Sequence, residues 1–146
     1  MKKRFFTFLF MLVALFSTVL HAETTVIVAQ GADAKTLDPA ASNDVPSHRV
    51  TLQIYDNLVA REGTKLVPGL AESWEQLDDR TTQFHLRKGV KFHNGYDFTA
   101  EDVKFSFERM MNSPRIAFVL PPIERIDIVD DYTVNLITKS PFGPLL

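Results

Sequence analysis

The chain has no cysteine. That single absence excludes disulfides, thiolate metal sites and thiol nucleophiles. It also lacks an excess of basic charge: 16 Lys and Arg stand against 18 Asp and Glu, a formal net charge of -2. Three of the basic residues, Lys2, Lys3 and Arg4, crowd the first four positions, so the remainder is more acidic still. Nucleic acid is therefore not an expected partner, because phosphate binding needs a basic face. Glycine is sparse, six residues in 146, and none falls in a GxGxxG, GxSxG or P-loop arrangement. Tryptophan occurs once, at Trp74. There is no HExxH, and His48, His85 and His93 lie too far apart to form a compact ligand set. No nucleophile, general-base pair or metal cluster emerges, so the reading is of a protein that is not an enzyme and needs no cofactor.

One long apolar run is present, and it is an address. Lys2, Lys3 and Arg4 precede residues 5–20, FFTFLFMLVALFSTVL, and His21-Ala22 then leads into polar sequence at Glu23. This is the pattern of a secretory signal peptide over residues 1–22, cut after Ala22. The run is short for a membrane span, which takes about 20 apolar residues. With no cysteine after it, a lipid-anchored form is excluded, and residues 23–146 are expected as a soluble exported segment.

Residues 24–29, TTVIVA, are β-branched and apolar and predict a strand buried on both faces. Residues 33–46 are rich in Ala, Asp, Asn and Pro and read as a loop, with Asp38 held extended by Pro39. A loop leaving a buried strand is a natural place for ligand contact; from the residues alone an ordinary connector is the plainer reading. A helix is predicted from about Ser47, capped by Ser47 or Asp44, with Val50, Ile54 and Leu58 as its apolar stripe and Arg61-Glu62-Gly63 as its stop.

The centre of the chain is more explicit. Residues 73–77 and 82–87 alternate around the polar turn Asp78-Asp79-Arg80, which predicts a β-hairpin with Phe84 and Leu86 facing a core. Asn94-Gly95 marks a tight turn. Residues 98–111 predict a helix with Thr99 as N-cap, Asp102 as capping-box partner, Phe98 and Val103 as hydrophobic staple, and Val103, Phe107 and Met110 on one face. Pro121-Pro122 keeps the next stretch irregular. Ile126 and Ile128, then Val134 and Leu136, alternate around Asp130-Asp131 and predict a second hairpin. Both acidic pairs sit in turns, where Asp serves backbone geometry rather than catalysis. Gly63 and Gly69 read as turn residues, and Trp74 as a core or rim aromatic. The apolar ending, Phe142-Gly143-Pro144-Leu145-Leu146, reads as an interruption within a longer polypeptide.

Four blocks, in register, resemble the extracytoplasmic solute-binding proteins of the peptide, nickel and opine family, which serve ABC transporters. They are Thr36-Leu37-Asp38-Pro39; Leu66-Val67-Pro68-Gly69-Leu70-Ala71-Glu72-Ser73-Trp74; residues 84–95, FHLRKGVKFHNG; and Phe98-Thr99-Ala100-Glu101-Asp102-Val103. Asp130-Asp131-Tyr132-Thr133-Val134 and Ser140-Pro141-Phe142 continue the match. The resemblance implies an α/β fold, residues 23–146 forming the incomplete N-terminal portion of lobe I of a two-lobed periplasmic binding protein. It implies a periplasmic location, a peptide ligand, delivery to ABC transporter permease subunits in the inner membrane, and no chemistry. By the same resemblance Asn43, Asp44, Val45 and Pro46 reach the ligand cleft. Alternatives are a member that binds another solute (glutathione, a nickel chelate or haem) or a truncated product without function.

Overall fold

A computed structural model describes residues 25–143. The predicted signal peptide lies outside them. The regular elements are α1 (Val45–Thr51), β1 (Val59–Glu62), β2 (Lys65–Pro68), β3 (Ala71–Gln76), β4 (Thr81–Leu86), α2 (Ala100–Met111), β5 (Ile123–Asp130) and β6 (Thr133–Thr138). A short 3-10 turn, Ala117–Val119, precedes β5.

Both predicted hairpins form. β3 pairs antiparallel with β4, β5 with β6, and β4 joins them through β6, giving the order β3-β4-β6-β5. Because side chains alternate across a strand, Thr82, Phe84 and Leu86 share one face of β4, and all three are buried. Val134, Leu136 and Thr138 line the same face of β6, where Phe84 is in register with Val134. The other face of β4 carries Gln83 and His85, and Gln83 donates to Asn135 across the strand pair at 2.8 Å. The turn at Asp78 works as expected: its Oδ1 accepts the amides of Arg80 (2.8 Å) and Thr81 (2.9 Å). Arg80 then reaches across the sheet end, donating to the Thr138 carbonyl at 2.7 Å and pairing with Glu124.

Helix α2 covers the apolar face. Asp102 closes its capping box, accepting the Thr99 amide at 2.8 Å and the Thr99 hydroxyl at 3.1 Å. Phe98, Ala100 and Val103 are buried in the core with Ala71, Phe84, Leu86, Ile123, Ile126, Val134 and Leu136. Phe107 and Met111 complete the packed stripe while only half-buried. The predicted Met110 is replaced there by its neighbour, because the helix rotates by about 100° per residue. The amide of Ala100 donates to the Asp131 carbonyl at 2.8 Å, fastening the helix start to the β5–β6 turn.

Two expectations fail in the N-terminal part. The first helix stops at Thr51, and residues 59–62, expected to finish and terminate it, form β1 instead. Val50, Ile54 and Leu58 have helical spacing, but β1 finds a partner in β2 across a two-residue turn at Gly63, whose φ of 61° suits glycine. Gly69 is a close-approach residue rather than a turn residue: a Cβ there would stand 2.3 Å from the Asn57 carbonyl oxygen. The next two amides, Leu70 and Ala71, donate to the carbonyls of Asn57 and Leu58. The second failure is the predicted buried strand. Residues 25–29 have no regular structure, and Val26, Ile27 and Val28 are exposed. β-branched side chains favour a pleated surface only when a neighbouring strand supplies it, and no described strand pairs with them. Among the described residues no helix is long and apolar enough to cross a membrane.

Candidate ligand-contact loop

Residues 31–44 have no helix or strand, yet a set of polar tethers specifies their course. The Asp38 amide donates to Thr36 Oγ1 at 3.0 Å, and Asp38 Oδ1 accepts the Ala40 amide at 3.0 Å. The Lys35 amide donates to Ser47 Oγ at 2.9 Å, tying the start of the loop to α1. Two further tethers come from residues distant in sequence. Arg109 on α2 forks onto both oxygens of Asp38, with Nη1 2.8 Å from Oδ1. The buried Ser113 hydroxyl donates to the Ala40 carbonyl at 2.6 Å.

The loop delivers Asn43, Asp44, Val45 and Pro46 to the start of α1. Asn43 is exposed, and Val45 is 60% exposed despite its apolar side chain. Pro46 lies in the first turn, where its missing N–H costs nothing. Asp44 is the N-cap, the second of the two caps expected from sequence. It accepts the Ser47 amide at 3.0 Å and the Ser47 hydroxyl at 3.1 Å, and the Ser42 hydroxyl also donates to it. The Ser42 hydroxyl first, and then the Ser47 amide, hold the Asp44 carboxyl down at about 2. Its charge is thus permanent at neutral pH, and its oxygens are already engaged. The Arg109 guanidinium likewise holds Asp38 below the usual carboxylate range.

An open groove of about 420 Å³ lies at the other end of α1, lined by Leu52, Tyr55, Asn57, Pro68, Leu70 and Arg87 among others. None of residues 43–46 lines it, so the two places are separate. Among the described residues no group of three His, Asp or Glu side chains could hold a metal ion. Both acidic turn pairs behave as turns: Asp130 Oδ1 accepts the Tyr132 amide at 2.7 Å, as Asp78 does for Arg80. Arg109 and Ser113 escaped the sequence reading. They lie 71 and 73 residues from their loop partners, and no periodicity or motif couples residues at such a distance.

Comparison with known proteins places these features in a group. The family model described as bacterial extracellular solute-binding proteins, family 5 Middle, matches residues 65–146. A probable D,D-dipeptide-binding periplasmic protein of Escherichia coli K12 is 37% identical over 141 residues, covering 88% of this chain and 27% of the relative. The glutathione-binding protein of the same strain is 33% identical over 138 residues, covering 91% and 27%. Among solved structures, an ABC transporter-associated periplasmic binding protein from Helicobacter pylori, in complex with the peptide STSA, superposes with a TM-score of 0.67. It has 35% identity and covers 78% of this chain and 27% of that one. The chain therefore spans about a quarter of the length of these relatives.

Proposed function

The chain belongs to the bacterial extracellular solute-binding proteins of family 5, a family of non-catalytic binding proteins, and from that membership we propose that it supplies the first-lobe portion of a periplasmic receptor for short peptides. The receptor closes on its ligand and presents it to the permease of an ABC transporter. Export through cleavage after Ala22 belongs to the same proposal. The observation that carries the reading is the similarity, over 88% of the chain, to a probable D,D-dipeptide-binding periplasmic protein.

Residues 43–46 are proposed to face the ligand. Val45 is the feature of interest: an apolar side chain left 60% exposed beside a fully tethered cap. Covering it with the apolar stem of a peptide side chain would recover burial energy of about 25 cal/mol per Å². Asn43 offers an amide to the peptide backbone. Asp44 contributes a fixed negative charge while its main task is holding α1. A site of this kind reads the extended backbone and one apolar side chain, which suits a receptor for peptides of mixed sequence.

The test is calorimetric titration of the receptor carrying this chain at its relatives' full length. The ligands are a pool of di- to pentapeptides, then glutathione, a nickel–histidine chelate and haem. The proposal predicts binding of the peptide pool. Binding of the nickel chelate or haem with no response to peptides would overturn it.

A further inference from the structure

Resting on the reading that residues 43–46 contact the ligand, we propose that Arg109 is a positioning residue for that loop, acting through Asp38, with Ser113 as its companion. The two emerge four residues apart at the end of α2, Arg109 in the last turn and Ser113 just beyond the Asn112 C-cap. Each takes hold of a different point on the loop: Arg109 grips the Asp38 carboxylate and Ser113 the Ala40 carbonyl.

Asp38 transmits the grip. The same Oδ1 that receives Arg109 Nη1 also accepts the Ala40 amide, and the Asp38 carbonyl accepts the Ala41 amide at 3.1 Å. Orienting this carboxylate therefore orients the turn that leads into Ser42, Asn43 and Val45. A guanidinium fork fixes a carboxylate in plane and in direction, which a lysine ammonium cannot do. The far end of the strut is rigid: α2 is packed on the sheet through Ala100 and Val103 and fastened to the β5–β6 turn through the Ala100 amide. The core thus sets the loop position over a sequence distance of 71 residues.

A solvent-exposed ion pair contributes little to global stability, and the Arg109 and Asp38 side chains are 46% and 35% exposed. The role argued for is therefore local order, and it separates from a merely structural one in experiment. The receptor carrying this chain would be prepared with Arg109→Gln, Arg109→Lys and Ser113→Ala. Hydrogen exchange across residues 36–44, the urea midpoint, and affinity for a pool of di- to pentapeptides would be measured on each. Arg109→Gln should exchange about threefold to tenfold faster in that segment and bind the peptides weaker by a similar factor. Its urea midpoint should hold, and Arg109→Lys should fall between Arg109→Gln and the parent. Ser113→Ala should accelerate exchange around residue 40. Unchanged exchange in Arg109→Gln overturns the proposal, as does a urea midpoint that falls together with affinity. Faster exchange with intact peptide affinity also overturns it, and Val45→Asp then tells which part failed. If Val45→Asp weakens binding, the contact reading stands and only the role of Arg109 is lost. If Val45→Asp also binds normally, residues 43–46 do not touch the peptide.

Discussion

Phe84 in the central sheet is 2% exposed and Val134 beside it 1%, whereas Val45 at the start of α1 is 60% exposed and Val26, Ile27 and Val28 are nearly bare. The sheet and α2 cohere by burial: two hairpins and one helix share a continuous apolar cluster. The stretch from residue 31 to Thr51 coheres by polar tethers, with Asp38, Ser42, Asp44, Ser47, Arg109 and Ser113 as its fixed points. Burial is insensitive to single polar changes and gives a platform. Tethers leave apolar and backbone groups open to a visitor while fixing where they point. A binding protein needs both, and here they are segregated along the chain.

The largest effect should come from the platform. Phe84→Ala removes a fully buried ring at the centre of the sheet and should cost about 3–5 kcal/mol, read as a lowered urea midpoint. Phe107→Ala should cost less, since that ring is half-buried. A Phe84→Ala protein as stable as its parent would break the contrast on the sheet side. Next in size is Val45→Asp. It should weaken peptide binding by about 2 kcal/mol through desolvation of a charge in the closed complex. Stability should be unaffected, because an acidic residue in the first turn of a helix is favourable. Thr99→Ala removes the hydroxyl that donates to Asp102 and should cost about 0.5–1 kcal/mol of stability in the same urea measurement. Asn43→Ala should weaken peptide binding by about 1 kcal/mol or less, seen by titration, if the loop works mainly through its backbone.

The smallest effect concerns acid. Asp44 is depressed from 3.8 to about 2 by the Ser42 hydroxyl and the Ser47 amide. A depressed carboxylate stabilises the fold above its unfolded value, and that contribution is lost as pH falls through the folded value. Protection of the amides of residues 42–47, taken relative to the intrinsic exchange rate at each pH, should therefore fall between pH 4 and pH 2 and stay flat above pH 5.

The same contrast explains what the sequence made legible. The two hairpins could be read because alternation at Phe84 and Leu86, or at Val134 and Leu136, is broken only by turn residues with local functions. Helix α2 announced itself through Thr99, Asp102 and Phe98, all within one turn. The tethered region was harder. Val50, Ile54 and Leu58 keep a helical spacing that the β1–β2 pairing overrides, and the deciding residue, Gly63, looks the same as a helix stop or a hairpin turn. TTVIVA has the composition of a strand, but composition cannot provide a partner. For the loop proposed to meet the ligand, the choice of Asn43, Asp44, Val45 and Pro46 came from family resemblance alone. Two facts were legible only in three dimensions: that Asp44 engages its oxygens with Ser42 and Ser47, and that Arg109 forks onto the Asp38 carboxylate.

The most direct test of the contrast is a hydrogen-exchange footprint of the receptor carrying this chain, with and without a saturating pool of di- to pentapeptides. The account predicts that peptide slows exchange across residues 40–47 and leaves β4 and β6 unchanged. Protection confined to other segments, with residues 40–47 exchanging as fast as in the free protein, would contradict it.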